Sequence, residues 1–547
     1  MGHSVIAPHP HEEAMPATPA PAPRETTTHP EESPRIFVSI ASYRDGDCLL
    51  TLTDLFAKAA HPERVHAGVL WQIAPEDGAV FTQTPERWHH RIRGEIVDAG
   101  KSLGVCWTRH RIQEQFWDGE PFYLQIDSHC RFEPEWDERL LAMLRSTPSE
   151  RAILSTHPNA FHPPDQLLRN GLPVMKAGRF DDHGTLIPIA KMISLDQRPA
   201  RPTPSPFIGA GFLFAPASII DEVPYDPFLY FHGEEIGLSV RLWTWGYDIF
   251  SPNDMIVYHD YTTVRGRRRH WDDHVDWTQL NRRAVARLHH LLGMQKSSDP
   301  GVLRHLDLYA LGSVRTLEEY ERFADIDFRR QSIGIRATDA LFPSPPSTRP
   351  ESVAMRNCFT RIYRLNQWQA PETRSGPGSA PQVTVALRNA LSTLWRELDV
   401  RILVDAGCGD LLWLESITND LDLYLGFDLV EELIANNRLL LGTRKNHFFN
   451  TADITEDLLP RSDLLLCRNT LTHLPNSQVQ AALRQLQASG SRYLLLTTFP
   501  GADNAEIAPG YWRKTDLTAP PFSLPPPLKM VPDGHPANGC HLGLWER

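Results

Sequence analysis

The segment Tyr123-Leu-Gln-Ile-Asp-Ser-His-Cys-Arg131 ends an apolar run in Asp127 and His129, two ligand-type side chains one residue apart. In an open α/β sheet, ligands bind beyond the carboxyl ends of the strands, and alternating Asp and His side chains placed there converge on one cation. His259 closes a second apolar stretch, Met255-Ile-Val-Tyr-His-Asp260, and is the third candidate ligand. One carboxylate and two imidazoles with open positions suit Mn²⁺ or Mg²⁺ holding a diphosphate, because the metal neutralises charge on a leaving phosphate. Such residues also cap strands and satisfy polar cores, so their neighbours matter. Pro206-Phe-Ile-Gly-Ala-Gly-Phe-Leu-Phe214 interrupts an apolar run with Gly209 and Gly211, which let the backbone approach a ligand closely. Phe231-His-Gly-Glu-Glu-Ile236 then opens a helix ended by Gly246. The helix dipole by itself favours Glu234 and Glu235 in that first turn. Beside a glycine loop they are also candidates for acceptor contact or for stabilising transition-state charge.

A second constellation lies far along the chain. Val404-Asp-Ala-Gly-Cys-Gly-Asp410 follows a strand and precedes a helix, so Gly407 and Gly409 permit a tight turn against a nucleoside, with Asp405 just before them. Asp428 closes the next strand, about 20 residues on, where an acid accepts both ribose hydroxyls of an adenosine. Asp453, in Thr451-Ala-Asp-Ile454, is placed to meet the exocyclic amine of adenine. Leu464-Leu-Leu-Cys-Arg-Asn469 supplies a fourth strand with Arg468 at its edge, and His473 follows in Leu471-Thr-His-Leu-Pro475. His473 is the best-placed candidate for a base at this site. A histidine there is also a frequent structural feature.

The elements that position these residues alternate. Arg35 to Ala41 reads as a buried strand, followed by a helix from Leu50 to Ala60, a strand from Val65 to Ile73, a helix around Arg109 to Phe116 and a strand from Pro121 to Ile126. Phe342-Pro-Ser-Pro-Pro-Ser-Thr-Arg-Pro350 breaks the pattern, since prolines at this density fit neither a helix interior nor a central strand. The rhythm restarts with a helix from Val385 to Leu398 and then Arg401-Ile-Leu-Val-Asp-Ala-Gly-Cys-Gly409, with strands following at Leu423 to Phe427, Asp463 to Cys467 and Tyr493 to Thr498. Helices from Val430 to Leu441 and Ser477 to Ala488 separate them, and Pro527 to Val531 with His541 to Trp545 form a closing antiparallel hairpin. Alternation of this kind implies an α/β fold with mostly parallel sheets.

At 547 residues, 41% of them hydrophobic, the chain needs more than one core. The expected division is a disordered tail over 1–34, a first domain over 35–345 (core to about 295, then a helical extension), a linker and entry segment over 346–400, and a second domain over 401–547. A net charge of −12 argues against a nucleic-acid partner, and the basic run Arg265-Gly-Arg-Arg-Arg269 is too short to reverse that. Seven scattered cysteines without a CxxC pair fit reduced thiols, and no apolar run is long enough for a signal peptide or a spanning helix. The expected location is cytoplasmic.

Together, Val38-Ser-Ile-Ala-Ser-Tyr-Arg-Asp45, the Gln-Ile-Asp-Ser-His stretch, Gly209-Ala-Gly211, His-Gly-Glu-Glu, Tyr258-His-Asp260 and Gly312-Ser-Val-Arg-Thr-Leu-Glu-Glu-Tyr320 resemble a known family. It comprises the cytoplasmic polypeptide α-N-acetylglucosaminyltransferases that modify hydroxyproline on a ubiquitin-ligase adaptor subunit, and their bacterial relatives. The resemblance implies a GT-A-type fold using a UDP-sugar, UDP-GlcNAc foremost, with Asp127, His129 and His259 as metal ligands. It also implies that Ser42, Tyr43, Arg44 and Asp45 lie near the nucleotide, Arg109 near the diphosphate, and Glu234 and Glu235 at the acceptor side, with the anomeric configuration retained.

The second constellation lacks GxGxxG spacing and resembles class I S-adenosylmethionine-dependent methyltransferases, which implies a Rossmann-like domain. Arg374-Ser-Gly-Pro-Gly-Ser379, Thr497-Thr-Phe-Pro500 and Gly510-Tyr-Trp-Arg513 look like a bacterial methyltransferase subfamily often encoded beside glycosyltransferases. Arg374 and Ser375 would grip the acceptor or close over the cofactor. The leading expectation is a bifunctional enzyme that glycosylates a hydroxyl on a peptide or glycan and O-methylates the product. The rivals are a polysaccharide-assembly hexosyltransferase with a chain-capping methyltransferase, and a chain in which one half has lost chemistry and serves as a binding module. Oligomeric state is not legible.

Overall fold

The computed structural model describes residues 34–262, 267–340, 342, 350–442, 444, 446–534 and 539–547. The expected N-terminal tail, apart from Pro34, the proline-rich stretch between Phe342 and Pro350, and Arg265 of the basic run lie outside these residues. The N-terminal half is built on eight strands, ordered Thr203–Pro204, Asp248–Ser251, Ala152–Ser155, Phe212–Pro216, Phe122–Asp127, Ile36–Tyr43, Val65–Ile73 and Ile92–Asp98. The last four are mutually parallel, while Phe212–Pro216 runs antiparallel to both of its neighbours. The Ile36–Tyr43 strand is buried on both faces. Ile36, Val38 and Ile40 enter one core and Phe37 the other, as the two-residue period of a strand requires.

A second, four-stranded sheet joins Cys130–Phe132, Val257–His259, Asn159–His162 and Gln166–Leu167. Its antiparallel register sets His259 opposite Cys130, and Asp260 donates its N–H to the carbonyl of His129 at 3.1 Å. The strand carrying His259 is shorter than its apolar stretch, spanning Val257–His259 only. One helix also starts earlier than its pattern indicates. It runs Val105–Phe116 from Gly104, whose φ of +107° lets the chain enter the helix.

The C-terminal half holds seven strands, in chain order Ile402–Ala406, Leu423–Asp428, His447–Thr451, Leu464–Cys467, Tyr493–Thr498, Lys529–Pro532 and His541–Glu546. In the sheet they lie 3-2-1-4-5-7-6. The first five are parallel and the seventh is antiparallel to the fifth and sixth. The strand order reverses beside the first strand, which is where α/β sheets open a crevice for a ligand. Two helices precede this sheet, Pro350–Leu365 and Val385–Glu397. Proline at the first position of the former loses no intrahelical bond. The chain is therefore α/β throughout, a mixed eight-stranded sheet followed by a seven-stranded, mostly parallel Rossmann-like sheet. All seven cysteines are free thiols, and no described helix is long and apolar enough to cross a membrane.

Candidate functional sites

Asp127 ends its strand and His129 lies two residues on, before the short strand paired to His259. The ligand-type atoms of the three residues all lie within 4.8 Å of one another. His259 Nε2 is 3.0 Å from His129 Nε2 and 3.1 Å from Asp127 Oδ2. An octahedral cation with bonds of roughly 2.1 Å sets adjacent ligands about 3 Å apart, so the two spacings from His259 fit neighbouring positions on such a sphere. The chemistry of the donors fits as well. Asp45, 4% exposed, places Oδ2 at 2.7 Å from His129 Nδ1 and takes a hydrogen bond from Ser128 Oγ at 2.6 Å. A carboxylate holds the Nδ1 proton, so Nε2 turns its lone pair toward the other two ligands. Gly211 faces the cluster, where a Cβ would stand 3.2 Å from Asp127 Oδ2.

Arg109, 2% exposed, is turned inward. It donates to Asp127 Oδ1 at 2.8 Å and is also ion-paired with Glu234. Burial opposes ionisation of Asp127, but the hydrogen bond with His259 and the charge of Arg109 outweigh it and hold the carboxyl below its usual range. Glu234 is shifted the other way, its burial only partly offset by Arg109. The two glutamates diverge. Glu235 Oε1 accepts the N–H of Ala210 and contacts His157 Nε2, both at 2.8 Å. His157 was not legible in sequence, being a single histidine after a short strand. Gly209 serves packing, because a Cβ there would meet the Thr156 carbonyl carbon at 2.5 Å.

The Ser42 to Asp45 turn is anchored rather than open. Ser42 is buried and its carbonyl accepts from Gln72 Nε2 at 3.3 Å. Tyr43 donates to Asp273 at 3.0 Å, and Arg44 is ion-paired with Glu76, Asp77 and Asp273 at 2.6, 2.8 and 3.2 Å. Asp45 turns back to the metal-type cluster, a role its position in the motif does not reveal.

In the C-terminal half, Asp405, Gly407, Gly409, Asp428, Asp453, Arg468 and His473 line one cleft. Asp428 accepts the N–H of Gly409 at 3.1 Å and of Val430 at 3.0 Å, so it shapes the glycine turn as well as facing the cleft. Asp453 Oδ1 accepts from Thr455, and its buried Oδ2 makes no hydrogen bond of normal length among the described residues, although the Ser352 side chain lies near enough to favour the charged carboxylate. A buried carboxylate oxygen in that state is costly without a donor, and an amine-bearing ligand would supply one.

The segment ahead of the sheet closes over the glycine turn. Asp410 takes hydrogen bonds from Thr373 Oγ1, the Arg374 N–H and Ser375 Oγ at 2.6, 2.8 and 3.0 Å. Gly409 has a φ of +56°, and a Cβ there would lie 2.1 Å from Ser375 Oγ. Met355, Phe359 and Tyr363 of the Pro350–Leu365 helix, spaced four apart on one face, line the same cleft. Arg468 is the most committed of the predicted residues. Its guanidinium grips Asp533 at 2.6 and 2.7 Å, donates to Gly378 O at 2.8 Å, and lies 4.4 Å over the Trp413 ring.

Burial, reinforced by repulsion from Asp428 and only partly relieved by the Tyr424 hydroxyl at 2.8 Å, pushes Asp405 up to about 7. The ordinary value is 3.8, so over the window between them the folded chain holds the proton more tightly than the unfolded one. The stability this supplies is complete at low pH and is lost as pH rises through about 7. Melting temperature recorded from acid to mildly alkaline pH should fall with a shallower slope in Asp405→Asn than in the native chain. Parallel curves would contradict the assignment.

No curated protein sequence matches the chain. Among solved structures, GalNAc-T7 with UDP, GalNAc and Mn²⁺ is 13% identical over 57% of this chain and 59% of that one, with a TM-score of 0.40. The chain thus spans a little under two thirds of that protein's length. Magnesium protoporphyrin IX methyltransferase from Synechocystis PCC 6803 with bound SAH is 19% identical over 27% of this chain and 72% of that one, with a TM-score of 0.23. The DhpI–SAH complex is 15% identical over 26% and 68%, with a TM-score of 0.20. Strand order and site geometry, not these distant likenesses, define the two folds. The family model for glycosyltransferase (GlcNAc) matches residues 35–84 and 75–330, more than half of the chain, and the protein accordingly belongs to the GlcNAc glycosyltransferase family.

Proposed function

We propose that the N-terminal half transfers a sugar, GlcNAc in the first instance, from its UDP donor to a hydroxyl on a peptide or glycan, and that the C-terminal half O-methylates the product with S-adenosylmethionine. The observation that carries the first activity is the convergence of Asp127, His129 and His259 at the carboxyl end of a sheet strand, with Asp45 fixing the tautomer of His129. These three residues would hold Mn²⁺ or Mg²⁺, which when bound would supply charge neutralisation for a diphosphate leaving group. Arg109 keeps Asp127 ionised and aimed, while Glu235, braced by His157 and the Ala210 N–H, faces the glycine segment where the sugar and acceptor meet. Retention of configuration, which the sequence resemblance implies, belongs to the same reading and needs no dedicated general base.

The methyl-transfer reading is supported by the cleft at the strand-order reversal, with Asp428 for ribose, Asp453 for the adenine amine and His473 at its mouth. A single chain joining both sites raises the concentration of one site's product at the other. Cytoplasmic residence belongs to the same reading. The test is UDP release from UDP-GlcNAc by the full chain, with Mn²⁺ and after exhaustive chelation, with and without hydroxyl-bearing peptides and oligosaccharides. Turnover lost on chelation and restored by Mn²⁺ is expected. Metal-independent turnover, or none with any UDP-sugar and acceptor, would overturn the assignment.

A further inference from the structure

The segment that enters the C-terminal sheet is pinned at two points. Asp410, just past the glycine turn, takes the bonds from Thr373, Arg374 and Ser375 described above and donates its own N–H to Ser375 Oγ at 2.9 Å. Ser375 in turn donates its N–H to Thr373 Oγ1 at 3.0 Å, so the bonds close a ring around Arg374. Arg468 holds the other end, donating to Gly378 O at 2.8 Å and Ser379 Oγ at 3.3 Å while it grips Asp533. Between the two, Gly376 has a φ of +87° and packs beside Trp368, whose Cε3 would lie 3.6 Å from an added Cβ. Arg374 is fixed through its backbone N–H, and it lines the cleft. Its guanidinium makes no hydrogen bond, ion pair or ring contact with any described residue.

The order of the sheet decides which part of a ligand lies there. Neighbouring strands stand about 4.8 Å apart, so successive strand ends can hold successive groups of one extended molecule. Asp453 lies just past the third strand, Asp428 closes the second, and Gly407 to Asp410 follow the first, which is next in the sheet. With adenine at Asp453 and ribose at Asp428, the chain beyond the ribose runs over the first strand to the glycine turn and residues 373–375. In S-adenosylmethionine that chain carries a sulfonium, an ammonium and a carboxylate. A cleft lined by Asp405, Asp428 and Asp453 suits the two cationic groups but repels the carboxylate, which therefore needs a cation of its own. The cleft lining offers two arginines among the described residues, and Arg468 is committed to Asp533. We propose that the other, Arg374, receives the carboxylate of the methyl donor, its planar guanidinium matching the two oxygens as a fork. The proposal rests on the methyl-transfer reading above. It makes Arg374 a donor-binding residue rather than an acceptor contact, and it explains why the segment from Thr373 to Ser379 is tied down on both sides of the first strand.

The experiment is calorimetry on the full chain with two ligands, S-adenosylhomocysteine and its decarboxylated analogue, which keeps the adenosine, the sulfur and the amine. The native chain should bind S-adenosylhomocysteine at least about tenfold more tightly than the analogue, the scale of a hydrogen bond to a charged group. Arg374→Ala should weaken S-adenosylhomocysteine at least about tenfold and the analogue by less than about threefold, so that the two ligands become nearly equal. Arg374→Lys keeps the charge without the fork and should fall between the two. Asp410 holds the backbone N–H of residue 374, a bond that both substitutions preserve. Equal affinity of the native chain for the two ligands, an equal loss for both in Arg374→Ala, or unchanged S-adenosylhomocysteine affinity in that variant overturns the proposal and leaves the methyl-donor reading standing. A native chain that binds neither ligand overturns both.

Discussion

Asp127→Ala should abolish Mn²⁺-dependent UDP release, a loss of roughly a thousandfold or more, while leaving S-adenosylhomocysteine binding at the other end of the chain untouched. A metal's share of leaving-group stabilisation is several kcal/mol, and each 1.36 kcal/mol is a tenfold change in rate, which sets that scale. The substitution removes the only anionic member of the cluster and also one of the two carboxylates that hold the buried Arg109 guanidinium. Asp127→Asn keeps the shape but not the charge and should lose nearly as much. A structural role alone would show as melting, so the decisive readout is Mn²⁺ affinity of the folded variants by calorimetry. Near-native Mn²⁺ affinity in folded Asp127→Ala would remove this cluster as the metal site.

Arg468→Ala should destabilise the C-terminal half more than any other single change among its cleft residues. Arg468 and Asp533 are 6% and 0% exposed and meet through two charge-assisted hydrogen bonds. Removing one partner leaves the other charge buried and alone, which costs about 3–5 kcal/mol. For a unit of this size that is a fall of roughly 6–20 °C in melting temperature. Replacing both partners by apolar residues, Arg468→Met with Asp533→Leu, should recover much of the loss, because no charge is then left uncompensated. The measurement is the C-terminal transition in a calorimetric scan of the full chain. A single variant that melts within about 2 °C of the native chain would show that water reaches the pair and that Arg468 is not the clamp described here.

The arginine illustrates where sequence reasoning stops. Its place at the edge of the fourth strand singled it out as a candidate for cofactor binding, and the fold sets it in the cleft lining, committed to Asp533. Its partner Asp533 lies 65 positions away in the closing hairpin, and nothing local ties the two. The Pro350–Leu365 helix is a different case. Met355, Phe359 and Tyr363 recur at helical spacing, but the prolines just ahead of them give the segment the composition of a linker. Arg109 and the acidic pair stand in the sequence as residue types suited to a site, while their orientation is not legible there. Only the folded chain turns Arg109 and Glu234 toward each other and Glu235 toward His157.

By itself the sequence determined the two α/β units, since buried strands and amphipathic helices leave their periods in the order of apolar residues. It also determined the short-range parts of both sites. Asp127 with His129, and Gly407 and Gly409 with Asp405, are each held within one strand end or turn, so their spacing carries their geometry. The tertiary structure decided everything that depends on a return of the chain. An antiparallel register set His259 against His129, Asp45 reached across 84 positions to fix that histidine's tautomer, and Asp410 captured residues 373–375 over the glycine turn. Contacts of this kind are selected by the packing of whole sheets and the burial of paired charges, and neither is written in any local run of residues.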